Sequence, residues 1–106
     1  MKDEPLELIR GSDNVYRDLG FPDADVMLAK ALLANEIVKV LDRERLTVRA
    51  AHARTGIAAA DFSRIRQADL KRFTVDRLMT ALNRLGSQVQ VKIKVRAMKT
   101  SERIAA

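Results

Sequence analysis

The sequence predicts a mainly α fold: a small helical bundle that contains a helix-turn-helix and ends in a β-strand paired across a dimer. Three observations predict it. Apolar residues recur at steps of three and four along most of the chain, two short helical segments meet at Gly56, and the period falls to two after Gly86. With 106 residues, a single core is the expectation, because small folds bury a smaller share of their surface. Hydrophobic residues make up 47% of the chain but aromatics only 4%, which suits close-packed helices and leaves little for a base-stacking platform.

Residues 1–22 hold both prolines together with Gly11 and Gly20, and show little periodicity beyond Leu6, Leu8 and Ile9. This stretch reads as a loosely structured arm in which Val15, Tyr16, Leu19 and Phe21 are available to dock on a neighbouring surface. The folded domain is expected over 23–96. Its first helix starts at Asp23, a plausible N-cap, and carries Val26, Ala29, Leu33, Ile37, Val40 and Leu41 on one face. Thr47 caps a second helix that runs to about Arg54, and Gly56 supplies the positive φ of the turn that follows. A third helix is expected from Ala59 to Arg66, with Phe62 and Ile65 facing inward. Thr74 starts the fourth, whose stripe of Val75, Leu78, Met79, Leu82 and Leu85 ends at Gly86.

From Gln88 to Arg96, polar and apolar residues alternate without a break, the pattern of a strand with one buried face. No second strand is evident, and a lone strand leaves its backbone donors and acceptors unpaired. Antiparallel pairing with a second copy would satisfy that edge and bury Val89, Val91, Ile93 and Val95, so these four are the expected dimer interface. Residues 97–106 read as a frayed tail.

Lys and Arg outnumber Asp and Glu by 20 to 14, giving a net charge of +6, which favours a polyanionic partner without identifying it. Cysteine is absent, which excludes disulfides, thiolate zinc sites and cysteine nucleophiles. His52 is the single histidine and has no nucleophile near it in sequence, so it reads as structural or solvent-facing. Asp23 and Asp25 fit helix-start chemistry better than a metal pair, and no phosphate-cradling or metalloprotease motif occurs. An enzyme is therefore not expected, nor is a cofactor or metal. The first ten residues lack the apolar core of a signal peptide, and no apolar run approaches the roughly 20 residues that span a bilayer, so the cytoplasm is the expected location.

The stretch from Leu46 to Ile65, and then DFSRIRQADLKRFTVDRLMTALNRLG from Asp61 to Gly86, resembles the XRE (Cro/repressor) family. Within that family, SRIR, RFTVDRLM and LNRLG followed by a Val-rich strand are most similar to the HigA-like antitoxin branch. The resemblance covers about Gly11 to Val95. It implies a dimer on paired operator half-sites of double-stranded DNA, with the third helix entering the major groove. By position, Ala59, Ala60 and Arg64 then occupy the base-facing places, while Thr47 and Val48 sit beside the phosphates. Of these, Arg64 is suited to direct readout, because its guanidinium can donate two hydrogen bonds to guanine O6 and N7; the alanines offer only apolar contact to thymine methyls.

Arg49, Arg54, Arg66, Lys71 and Arg72 are candidate phosphate contacts, with a solvated basic face as the plainer reading of each. Asp61 and Asp69 are unfavourable at such a face unless they pair with an arginine or accept from a cytosine N4. Val48, His52 and Ala58 depart from the family pattern, and Ala58 leaves the third helix without a polar N-cap. The resemblance also implies a small ribonuclease toxin of the RelE type as a partner, with Val15, Tyr16, Leu19 and Phe21 as candidate contacts. Packing of that arm over the first helix is an equally open reading. The alternative function is a toxin-neutralising protein-binding module whose DNA binding is weak or lost.

Overall fold

Periodicity and capping residues divide the chain into six elements, β1 (Leu6–Arg10), α1 (Ala24–Arg43), α2 (Val48–Thr55), α3 (Ala59–Arg66), α4 (Val75–Arg84) and β2 (Val91–Val95). The computed structural model describes residues 6–10, 20, 23–95 and 97. Val15, Tyr16, Leu19 and Phe21 lie outside the described residues, as do the residues after Ala97. Contacts divide the chain into two units, one of Lys30–Val89 and one drawn from Met1–Ala29 and Gln90–Ala106.

The first unit is mainly helical and contains the helix-turn-helix. In α1, Leu33, Ile37, Val40 and Leu41 are buried at steps of three and four, the spacing that keeps side chains on one face of a 3.6-residue helix. From the other helices Ala51, Phe62, Ile65, Leu78 and Leu82 are buried, and Phe62, Ile37, Leu41 and Leu78 are the largest side chains fully withdrawn from water. Phe73 is buried as well, although it lies in the link before α4 and outside any periodic stripe. Val26 departs from expectation. It shares the stripe of Leu33, seven residues on, yet is 43% exposed, while Ala24 and Ala29 to either side of it in sequence are buried.

Helix ends account for the four unpaired carbonyls that every α-helix leaves. After α1 the amide of Leu46 donates to the Leu41 carbonyl (2.8 Å) and that of Arg45 to Asp42 (3.2 Å), the double closure of a Schellman motif. The same closure ends α3, through Asp69 to Arg64 (2.9 Å) and Ala68 to Ile65 (3.1 Å), and α4, through Ser87 to Leu82 (3.0 Å) and Gly86 to Asn83 (3.0 Å). Each motif needs one residue at positive φ. Gly86 supplies it after α4 (φ 94), but Arg45 (φ 54) and Ala68 (φ 58) adopt it with a side chain.

The second unit contains a two-stranded sheet in which β1 and β2 run parallel, with Leu6 opposite Val91, Leu8 opposite Ile93 and Arg10 opposite Val95. This corrects the expectation of a strand with no partner in its own chain. Against the expected strand over 88–96, β2 begins at Val91, and one of its edges is satisfied by β1. Five residues are too few to establish a period, and a parallel pairing joins segments far apart in the sequence, so β1 carries no local signal. The face expected to be buried is open in the single chain: Ile93 is 61% exposed and Val95 75%, while Val89 and Val91 are half-buried. Among the described residues no helix is long and apolar enough to cross a membrane.

Two expectations follow from the helix ends. Ala68→Gly should raise stability by about 1 kcal/mol in chemical denaturation, since relief of the left-handed strain outweighs the extra freedom of the unfolded chain; a lowered midpoint would show that Ala68 carries little strain. At the start of α4, Thr74 Oγ1 accepts from the Arg77 amide (3.3 Å), and hydrogen bonding from Thr74 holds the exposed Asp76 carboxyl below its ordinary value. Ionised Asp76 therefore favours the fold above its unfolded pKa, and that contribution is lost as the pH falls through the folded pKa. Thr74→Ala should cost about 1 kcal/mol near neutral pH and return the Asp76 titration, followed by NMR, toward the ordinary value.

Candidate nucleic-acid interface

The site begins with the turn between α2 and α3. Thr47 takes an extended backbone and its Oγ1 accepts from the Ala50 amide at 3.0 Å, which starts α2 as its sequence predicts. At the other end the Gly56 amide donates to the His52 carbonyl (2.7 Å) with Gly56 at φ 77, a geometry that a Cβ would strain. The buried Thr55 hydroxyl donates to the Ala51 carbonyl (2.7 Å) and accepts from the Ile57 amide (3.1 Å). His52 is exposed and lies 2.9 Å from the Ile57 carbonyl through Nδ1; a carbonyl only accepts, so Nδ1 carries the proton. His52 thus braces the turn.

Gly56 to Ala58 then redirect the chain into α3, which has no side-chain N-cap because Ala58 has no oxygen to offer. Phe62 and Ile65 are buried, so the opposite face of α3 is turned outward. On that face Ala60 is exposed and Ala59 and Ser63 are half-buried. Arg64 is 34% exposed along its side chain and donates from Nη1 to Asp61 Oδ1 at 2.9 Å. The other oxygen of Asp61 accepts from Arg77 Nη2 of α4 at 3.5 Å. Arg77 in turn donates to the Arg72 carbonyl (3.2 Å) and lies 5.2 Å from the centre of the Phe73 ring. Asp61 therefore meets the condition under which a carboxylate is tolerable on such a face, a pairing with neighbouring arginine. The i,i+3 pair of Asp61 and Arg64 is a spacing that sequence can suggest. Arg77 reaches the cluster from α4, and no local signal marks it.

The candidate phosphate contacts fall into two groups. Arg54 pairs with Glu44 Oε1 (2.6 Å) and Arg66 with Asp42 Oδ1 (3.0 Å), both acids lying at the end of α1 or just after it. These pairs are solvent-accessible, and such pairs contribute at most about 1 kcal/mol, so a phosphate can displace either carboxylate. Arg49, Lys71 and Arg72 are exposed and make no ion pair among the described residues. Arg84 has a structural use instead, donating from Nη1 to the Thr55 carbonyl at 3.3 Å.

A surface cleft of about 370 Å³ lies beside the turn, floored by Ile65, Phe73 and Leu78 and rimmed by Arg77, Arg84, Asp61 and Asp76. Its two cations and two carboxylates balance, so it offers no net charge to an anion. Among the described residues no group of three or more histidine or acidic side chains is placed to hold a metal ion.

No curated protein and no solved structure matches the chain. A family model described as a helix-turn-helix domain matches residues 15–94, about three quarters of the sequence. That span takes in the capped α2, the Gly56 turn and the outward face of α3, features that point to a DNA-binding regulator. The chain belongs to this helix-turn-helix domain family.

Proposed function

We propose that the protein is a transcriptional repressor that binds double-stranded operator DNA sequence-specifically as a homodimer in the cytoplasm, acting by binding and not by catalysis. The observation that carries this reading is the outward face of α3, where Arg64 stands beside small residues that let a helix approach base edges closely. Ala59, Ala60 and Arg64 face the bases, and Arg64 reads a guanine. Thr47, Arg49, Lys71 and Arg72 meet phosphates, joined by Arg54 and Arg66 as these exchange carboxylate for phosphate.

The homodimer forms through the open edge of β2. Pairing centred on Ile93 would set Lys92 against the partner's Lys94, a like-charge contact across strands. Pairing centred on Val91 sets Lys92 against the partner's Gln90, Lys94 against the partner's Gln88, and Ile93 against the partner's Val89. The second register is favoured, and it covers Val89, Val91 and Ile93 on one face. Ile93→Asp should then convert dimers to monomers in analytical ultracentrifugation; a dimer that persists would remove this strand from the interface.

The antitoxin form of this reading, in which the repressor controls its own operon and neutralises a RelE-type toxin through Val15, Tyr16, Leu19 and Phe21, rests on the sequence resemblance around SRIR and RFTVDRLM. The alternative, a toxin-neutralising module without specific DNA binding, predicts indifference to sequence in a gel shift.

The DNA reading is tested with two variants against a preferred duplex selected from a randomised pool. Arg64→Ala should relax preference at one base pair by about tenfold or more. Arg72→Ala should weaken binding to every duplex and reduce the salt slope by about 1. Equal, sequence-independent losses from both would sink the readout role.

A further inference from the structure

We infer that Asp61 is a positioning residue for specificity: it holds the Arg64 guanidinium in the orientation that reads a guanine. The inference rests on the DNA reading above and goes beyond it, because it assigns a function to the one carboxylate on the outward face of α3. Three observations support it. Asp61 is engaged through both oxygens, Oδ1 by Arg64 at 2.9 Å and Oδ2 by Arg77 at 3.5 Å. Its side chain is only 20% exposed, whereas that of Arg77 is 52% exposed. Arg77 is itself anchored, by the Arg72 carbonyl at 3.2 Å and by the Phe73 ring, which is buried.

The direction of control follows from these contacts. Asp61 is held between Arg64 of its own helix and Arg77 of α4, and it is less exposed than either arginine, so it gives Arg64 a partner tied to a second helix. An arginine has five N–H donors in a rigid fork, and one bond from Nη1 leaves enough donors for the paired acceptors of guanine. Without the carboxylate, a long cationic side chain beside DNA has many phosphates to choose from, and contact with those carries no sequence information. A partly exposed i,i+3 pair adds little stability, and a negative charge near phosphates weakens binding, so stability and affinity give little reason for Asp61 to stand there. Orientation does. Held in place before DNA arrives, Arg64 gives up less side-chain freedom when it meets the base.

The test is a double-mutant cycle on the full chain with Asp61→Ala, Arg64→Ala and the pair, with Asp61→Asn as a milder variant that keeps an acceptor. Each protein is titrated with the preferred duplex and with one changed only at the Arg64-dependent base pair. Asp61→Ala should reduce the preference at that pair by about tenfold while binding to unrelated duplex is kept or strengthened, and Asp61→Asn should fall between it and wild type. In the Arg64→Ala background, Asp61→Ala should change the preference no further. A preference that survives Asp61→Ala, or one that falls equally in both backgrounds, would overturn the inference and leave the repressor reading intact. A wild-type protein with no preferred duplex would overturn the repressor reading, and this inference with it.

Discussion

Thr55 is the one buried polar side chain among the described residues, and its hydroxyl joins the last turn of α2 to the Ile57 amide that follows Gly56. A buried hydroxyl is costly unless its bonds are made, so this side chain stabilises only the arrangement that places the Ala51 carbonyl and the Ile57 amide on either side of it. Gly56 at positive φ gives the backbone the bend, His52 closes it from the solvent side, and Arg84 of α4 reaches the Thr55 carbonyl. The angle between α2 and α3, and with it the presentation of Arg64, depends on this short turn. A valine in place of Thr55 would fill the same space but leave the Ile57 amide without that acceptor.

With the turn fixed, the charged residues divide by what they are already bound to. Arg84 bonds a backbone carbonyl and belongs to the fold. Arg77 bonds the Arg72 carbonyl and Asp61 and lies over the Phe73 ring, so it links α3 to α4. Arg54 and Arg66 rest on Glu44 and Asp42, which keeps two flexible cations near the helix-turn-helix at little energetic cost. The net charge of +6 therefore overstates what the interface offers, since part of it is occupied by internal acceptors.

How much of this was legible in the sequence depended on whether the signal was local. All four helices were, because their apolar stripes repeat and because Thr47, Gly56, Thr74 and Gly86 are residue types whose chemistry ends or starts a helix. The ends of α1 and α3 were less so: Arg45 and Ala68 adopt a backbone that usually announces itself by glycine. Phe73 is core without being periodic, Val26 is periodic without being core, and Arg77 joins Asp61 only through the packing of α4 beside α3. β1 was invisible for a different reason, since LELIR acquires its meaning only when VKIKV from the far end of the chain lies beside it.

That parallel pairing bears on assembly. A two-stranded sheet is marginal in water, and one with Ile93 and Val95 exposed is more so, because the apolar side chains add little until something covers them. Parallel strands need a crossover, which here is the whole stretch of chain between Arg10 and Val91, so closing the sheet also carries a loop-closure cost. Pairing of β2 with a second copy would extend the sheet to four strands and cover part of that apolar face.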